Sequence, residues 1–354
     1  VSRTRDTSTC VSLDWWPAEK CDYGSCPWTN SSLLTADLSD PLLGSAIAAL
    51  APLHLRVGGS LADQVSFALS REDGCPPFAV DVTRRIGFTG GCLRLSRWLE
   101  VLSFCERLGC GVLFSVNALR GRTRDECQPA ALPAVCSRAS PRFSVLGNEL
   151  AGDAGIEAHL SAAEYARDLL SLRREVDALW PTKPPLLLAP DTAFDAEWAK
   201  LFLSQLRAAS KEGGGGGGGG GGDGDGGRLP LDILSHHIYP LGAGDGRQMA
   251  ASPRRRAGGA SRDCSPPRAA AAGGSLARPE EARLGGAYNS GQRGVTDGFV
   301  SSFWFNDLLG ALARHGHAFG CRQAILGGHY ALLDLRRRQP APDFYSLLLW
   351  RRLM

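Results

Sequence analysis

The chain contains no run of 18 consecutive apolar residues, so no segment is suited to cross a bilayer as a helix. No Gly-x-Gly-x-x-Gly follows its first strand-like run, which argues against a dinucleotide-binding fold. Charge of one sign is scarce: the net is +3 over 354 residues, so bulk nucleic-acid or membrane binding has no electrostatic basis. Zinc-ligand spacing is missing as well. Cys21 and Cys26 are separated by four residues, no histidine cluster accompanies them, and the reading is no metal and no cofactor. The chain opens on Val1 with no apolar signal core behind it, so the expectation is a removed leader or a fragment. The stretch 242–284 lacks aromatic residues, valine and isoleucine altogether.

What is present bounds the fold. A hydrophobic content of 44% supports a sizeable core, and 354 residues suffice for one large barrel or two ordinary domains. The 11 cysteines are many, and Cys10, Cys21, Cys26, Cys75 and Cys92 crowd the first quarter. That usage points to a disulfide-permissive, secreted compartment. The odd count leaves at least one thiol unpaired or paired elsewhere, and the connectivity stays open.

Strand-like and helix-like runs alternate along the chain. Strand-like runs occupy Val11–Trp16, Leu53–Gly59, Gly111–Leu119, Arg142–Leu150, Pro185–Pro190, Leu231–Tyr239 and Arg322–Tyr330. Helical patterns cover Pro41–Ala51, Ser96–Leu108, Ala162–Leu179, Asp195–Ala208, Phe299–His315 and Asp343–Met354. Alternation of this kind predicts a parallel sheet, and seven strands plus one gap suit a (β/α)8 TIM barrel spanning residues 1–354. Polar residues end most strands: Asp14, Arg56, Asn117, Glu149, Asp191, His237, Tyr239 and Tyr330. In a barrel those ends converge on one mouth.

Two stretches break the pattern. Residues 212–228 contain ten consecutive glycines, Gly213–Gly222, and read as a flexible linker on the amino-terminal face. Residues 242–284 are rich in Arg, Ala, Gly and Pro and read as a low-complexity, disordered insert where a seventh strand is due. The run Arg254-Arg255-Arg256 fits a polyanion patch or simply a solvated insert.

The stretch with most chemical content is Arg142-Phe-Ser-Val-Leu-Gly-Asn-Glu-Leu150. A strand that stops at Gly147-Asn148-Glu149 sets an amide and a carboxylate at the carboxyl edge of a parallel sheet, where such folds build sites. By itself it leaves open a site carboxylate or a solvated loop glutamate. His237 and Tyr239, two apart on one strand, share a face.

Several blocks resemble the heparanase-like proteins of plants, in the glycoside hydrolase family that includes heparanase and plant β-glucuronidases. They are Leu13-Asp-Trp-Trp-Pro-Ala-Glu-Lys-Cys-Asp-Tyr-Gly-Ser-Cys26, Leu55-Arg-Val-Gly-Gly-Ser60, Gly87-Phe-Thr-Gly-Gly-Cys-Leu93 and Leu146-Gly-Asn-Glu-Leu150. His236-His-Ile-Tyr239, Gly285-Gly-Ala-Tyr-Asn-Ser-Gly291, Cys321-Arg-Gln323, Gly327-Gly-His-Tyr330 and Pro342–Met354 complete the set. The match runs in order through both ends of the chain and fails across 213–227 and 242–284.

The resemblance implies a retaining glycosidase on a TIM barrel, a β-sandwich domain expected to be absent here, and a secretion signal. Location is then extracellular or vacuolar-lysosomal, and peripheral membrane association is compatible with it. The partner it implies is an acidic polysaccharide or proteoglycan-type glycan. It assigns the proton donor to Glu149 and a sugar 2-hydroxyl contact to Asn148. It gives substrate contacts to Asp14, Ser60, His237, Tyr239, Asn289, Gly291 and Tyr330. The family's nucleophile, a glutamate at the end of strand seven, aligns with Arg283, a permanent cation that cannot attack an anomeric carbon. Glu281, two residues earlier, is the candidate that remains, against a solvated loop carboxylate. The expected function is a glucuronic-acid-directed glycosidase; the alternative is a non-catalytic or acidic-glycan-binding remnant. A reading-frame slip in GC-rich coding DNA would explain the abrupt loss of match at 242–284. Translation of the other two frames tests it, since the absence of any strand-like segment ending in Gly-Glu would rule it out.

Overall fold

The computed structural model describes residues 9–119, 143–151, 158–193, 195–212, 230–245 and 280–354. Eight parallel strands close into a barrel: β1 Thr9–Leu13, β2 Leu53–Val57, β3 Cys110–Val116, β4 Phe143–Leu146, β5 Leu186–Ala193, β6 Ile233–Ile238, β7 Glu280–Leu284 and β8 His317–Arg322. Each pairs with its neighbours in chain order, and β8 returns to β1. Six α-helices are described: α1 Pro41–Leu50, α2 Leu95–Leu108, α3 Ala162–Leu179, α4 Ala196–Glu212, α5 Phe299–Arg314 and α6 Pro342–Leu353. The glycine-rich linker at 213–228 and residues 246–279 of the low-complexity stretch lie outside the described residues.

The period-2 alternation of a strand separates two cores here. Val11 and Leu13 of β1, with Leu55, Val57, Val112 and Phe114, face the helices. Cys10, Leu113, Val145, Leu188, Ile233, Phe319 and Cys321 fill the barrel's interior. Higher up, the positions that alternate with the helix-facing set are polar: Ser12, Arg56, Ser115, Ser235 and His237 are all buried. The interior is therefore largely apolar below, where His54 packs against Phe319, and hydrogen-bonding at the mouth.

Local chemistry sets the helix ends. Asp40 caps α1, accepting the N–H groups of Leu42 and Leu43, with Pro41 at the first helical position, where its missing N–H costs nothing. Ser161 and Glu164 form a capping box on α3. Gly109 ends α2 in the left-handed conformation.

Three differences from the sequence reading bear on the site. The last strand is His317–Arg322, not Arg322–Tyr330. Beyond Arg322 the chain turns through left-handed Gly327 and Gly328, so Tyr330 stands on a loop. Second, Glu280–Leu284 forms a strand despite its charged composition, paired to β6 and β8 along its length. Ladder bonds are made by the backbone, and two flanking strands override weak local propensity. Third, the other end of the stretch read as an insert is also structured: Gly242–Asp245 docks on the loop after β7 through Gly244 N–H to the Tyr288 carbonyl, 3.0 Å.

Among the described residues three disulfides form, Cys10–Cys321, Cys21–Cys26 and Cys75–Cys92, while Cys105 and Cys110 are buried free thiols. Cys10 and Cys321 are register partners on β1 and β8, so the bond closes the seam between the first and last strands. It spans 311 residues of sequence, and by chain-entropy arithmetic a loop that long is worth on the order of 5 kcal/mol. Replacing both cysteines by alanine is expected to lower stability by about 2–5 kcal/mol, read by urea unfolding. A loss under about 0.5 kcal/mol would show that strand pairing alone holds the seam.

Candidate active site

Four residues after β4 build the centre of the mouth. Gly147 is left-handed, with φ 65°, and a β-carbon there would lie 2.3 Å from Leu150 Cδ1. The turn therefore requires glycine. Gly147 N–H bonds the Val116 carbonyl at 2.8 Å, and Glu149, itself at φ 58°, bonds the Asp191 carbonyl at 2.9 Å. A non-glycine residue in that region costs energy and is held there by its surroundings. Tyr165 of α3 donates its hydroxyl to the carbonyls of Leu146 and Pro190, tying the ends of β4 and β5 together.

The Glu149 side chain is 24% exposed, opening to the mouth. Its Oε1 lies 2.6 Å from His237 Nδ1, and His237 Nε2 lies 3.0 Å from Asp191 Oδ1. Asp191 Oδ2 accepts from Arg56 Nη2 at 2.5 Å, and the same nitrogen donates to Asn148 Oδ1 at 3.0 Å. Asp191 and Arg56 are fully buried. Paired with a guanidinium, Asp191 is an acceptor, so His237 Nε2 carries a proton. His237 Nδ1 and Glu149 then share one further proton, on the imidazole or on the carboxyl. Burial pushes the His237 pKa down, but Asp191 and Glu149 on either side outweigh it and raise it above 6.5.

A second cluster lies across the mouth. Asp14, just past β1, accepts from Gln323 Nε2 at 2.5 Å, and the same nitrogen donates to the Tyr330 hydroxyl at 3.3 Å. Gly59, left-handed at φ 114°, brings the backbone before Ser60 against the Asp14 carboxylate. Ser60 is half-buried at the start of the single-turn helix Ser60–Gln64. Asn289, Ser290 and Gly291 are three consecutive left-handed residues, at φ 56°, 63° and 71°. They are pinned from the β1 loop: Ser290 Oγ donates to Asp22 Oδ2 at 2.5 Å, Trp28 Nε1 donates to Ser290 Oγ at 2.8 Å, and Asn289 Nδ2 donates to Tyr23 Oη at 2.9 Å. Tyr239 stands edge-on between His237 and Tyr288, with centroid distances of 6.5 and 6.1 Å.

The residues singled out in sequence thus line one mouth in two groups: Asn148, Glu149 and His237, and Asp14 with Tyr330. Ser60, Tyr239, Asn289 and Gly291 stand around them. Arg56 and Asp191, noted in sequence only as polar strand ends, supply the charges between which the first group is held. Asp63 and Gln323 carried no site reading. Asp63 is a lone carboxylate in an apolar run, the signal that could have found it. The strand-seven residues fall on a strand whose side chains lie outside the described residues, but their backbone register is defined. Arg283 pairs with His237 and Cys321, whereas Glu281 pairs with Ser235 and Phe319. Glu281 therefore sits two residues, about 6.6 Å of strand, nearer the barrel floor. His236, the neighbour of His237, takes no part in the mouth; it meets His317, Nε2 to Nε2 at 3.0 Å.

The comparisons agree with this barrel. The model of glycosyl hydrolase family 79, N-terminal domain, matches residues 1–213 and 225–310, and the chain belongs to that family. It is 35% identical to heparanase-like protein 1 of Arabidopsis thaliana over 375 residues, covering 100% of this chain and 65% of that protein. It is 30% identical to the baicalin-β-D-glucuronidase of Scutellaria baicalensis over 393 residues, covering 100% of this chain and 69% of that one. The chain thus spans about two thirds of the length of these relatives. In fold it is similar to a 4-O-α-L-rhamnosyl-β-D-glucuronidase from Fusarium oxysporum, with TM-score 0.63 and 13% identity over 99% of this chain and 70% of that one.

The raised His237 pKa carries a sign. A histidine whose pKa is higher folded than unfolded adds stability that is complete below its unfolded value, about 6.5, and is lost as pH rises through the folded value. The stability difference between wild type and His237→Gln is expected to be largest just below pH 6.5 and to narrow as pH rises. Denaturation at a series of pH values checks it, and a gap that widens with pH would contradict the assignment.

Proposed function

We propose that this chain is a heparanase-like glycoside hydrolase barrel acting on glucuronic-acid-containing glycans, with Glu149 as proton donor. The observation that carries the reading is the Glu149–His237 contact of 2.6 Å at the mouth of a family 79 barrel. A carboxyl that shares a proton with an imidazole can protonate a leaving glycosidic oxygen and take the proton back from water in the next step. Asn148, held by Arg56, is poised for the sugar's 2-hydroxyl. Asp14, Ser60 and Tyr239 serve as further sugar contacts. The left-handed turn at Asn289–Gly291, with Tyr330 behind it, offers backbone N–H groups suited to a glucuronate carboxylate. The names of the relatives, one a β-D-glucuronidase, support that substrate class. The three disulfides support a secreted or vacuolar location.

A retaining mechanism requires a second carboxylate roughly 5–5.5 Å from the first. The family resemblance implies that this nucleophile stands at the end of strand seven. Glu281 is the candidate there. The register of Arg283, directly beside His237, favours the second reading: a barrel that retains the acid and has lost the nucleophile, binding acidic glycans without cleaving them.

Turnover of an aryl β-D-glucuronide by wild type, Glu149→Gln, Glu281→Gln and Arg283→Glu separates the two. Under the first reading wild type is active, and either glutamine substitution lowers the rate about 10²–10⁴-fold. Under the second, wild type is silent and Arg283→Glu gains activity. Wild-type turnover unaffected by Glu149→Gln would reject Glu149 as the acid.

A further inference from the structure

Asp63 lies in the single-turn helix Ser60–Gln64 after β2 and is fully buried. Its Oδ1 accepts the Ala118 N–H at 2.7 Å and its Oδ2 the Asn148 N–H at 2.8 Å. No cation pairs with it among the described residues. The two N–H groups belong to the chain just past β3 and just past β4, so one carboxylate from β2's loop spans three successive strand ends. Asn148 is also gripped from its other side, where Arg56 Nη2 donates to its Oδ1. The next residue is Glu149.

We propose that Asp63 is a positioning residue for the candidate acid: by holding the Asn148 and Ala118 backbones it fixes the left-handed Gly147-Asn148-Glu149 turn and so keeps Glu149 against His237. The role in turnover rests on the glycosidase reading; the role in geometry does not.

Burial pushes the Asp63 carboxyl up to about 7, with Asp191 adding to the rise, against the two N–H bonds that lower it. A carboxyl whose pKa is higher folded than unfolded loses stability for the chain as pH rises from the unfolded value of 3.8 toward 7. The geometry carries the assignment, because without this carboxylate the Ala118 and Asn148 N–H groups would lose the acceptor they share. What it supplies is directional: two acceptors in one plane, rigidly aimed at two main-chain donors.

Asp63→Asn is the direct test, because it keeps the shape and turns one acceptor into an N–H donor facing another N–H. The readout is the side-chain ¹H–¹⁵N spectrum of His237 at fixed pH, compared with wild type and with Glu149→Ala, in which His237 Nδ1 has lost its partner. Positioning predicts that Asp63→Asn moves the His237 signals toward those of Glu149→Ala. A folded Asp63→Asn with wild-type His237 signals, whatever its melting temperature, overturns the proposal. Should the variant not fold, hydrogen exchange in wild type decides: the Asn148 amide must exchange as slowly as the amides of β3, and fast exchange overturns it. Where turnover is measurable, Asp63→Asn lowers kcat about 10²-fold with KM little changed. Absence of turnover in wild type defeats the glycosidase reading alone and leaves the His237 signals to judge Asp63.

Discussion

The mouth of this barrel depends on one buried line of charge, Arg56–Asp191–His237–Glu149. Arg56 is a fully buried guanidinium, and a buried charge is tolerable only when paired and hydrogen-bonded. Asp191 supplies that pairing and, with its other oxygen, holds the imidazole. The imidazole then presents its remaining nitrogen to Glu149. Each link fixes the protonation of the next, so one cation inside the barrel fixes the tautomer of a histidine near its rim. Gly58 shows how tightly the line is packed: a β-carbon there would meet Ser115 Oγ at 2.4 Å and the Arg56 guanidinium carbon at 2.9 Å.

Across the mouth, polar contacts serve instead to join loops that are distant in sequence. Gln323 donates to Asp14, 309 residues away, and Trp28 donates to Ser290, 262 residues away. Ser25 Oγ and His329 Nε2 add a contact of 2.8 Å. The loop after β1 thereby braces the loops after β7 and β8, and the disulfide between β1 and β8 secures the same seam from within the barrel. Both devices act where the sheet closes, the place at which a barrel is joined by strands from opposite ends of the chain.

Strand seven separates architecture from chemistry. Barrel closure requires from Glu280–Leu284 only backbone N–H and C=O groups in register, and these are supplied whatever the side chains are. Chemistry at the mouth depends instead on which side chains stand at which register positions, and the ladder places no demand on those. A (β/α)8 scaffold can thus close whatever side chains its seventh strand carries, because closure is built on the main chain.

Periodicity and strand-end polarity were enough to read the parallel barrel, five of its strands closely, and the Gly147-Asn148-Glu149 turn, because alternation and glycine-dependent turns are local properties. Sequence motifs were also enough to bring the family into view. They could not supply the eighth strand's true limits, since the apolar run after Arg322 packs as a loop whose Ile325 N–H bonds the Ser12 carbonyl of β1 and whose Leu332 N–H turns back to the Ala324 carbonyl. Nor could they reveal β7, whose pairing comes from its neighbours rather than its own composition. The roles of Asp63, Arg56 and Asp191 around Glu149 were decided by tertiary structure alone. Among their partners, Ala118 lies 55 positions from Asp63 and Asp191 lies 135 from Arg56, and a side chain's partner at such a separation is set by barrel closure, not by neighbours in the chain.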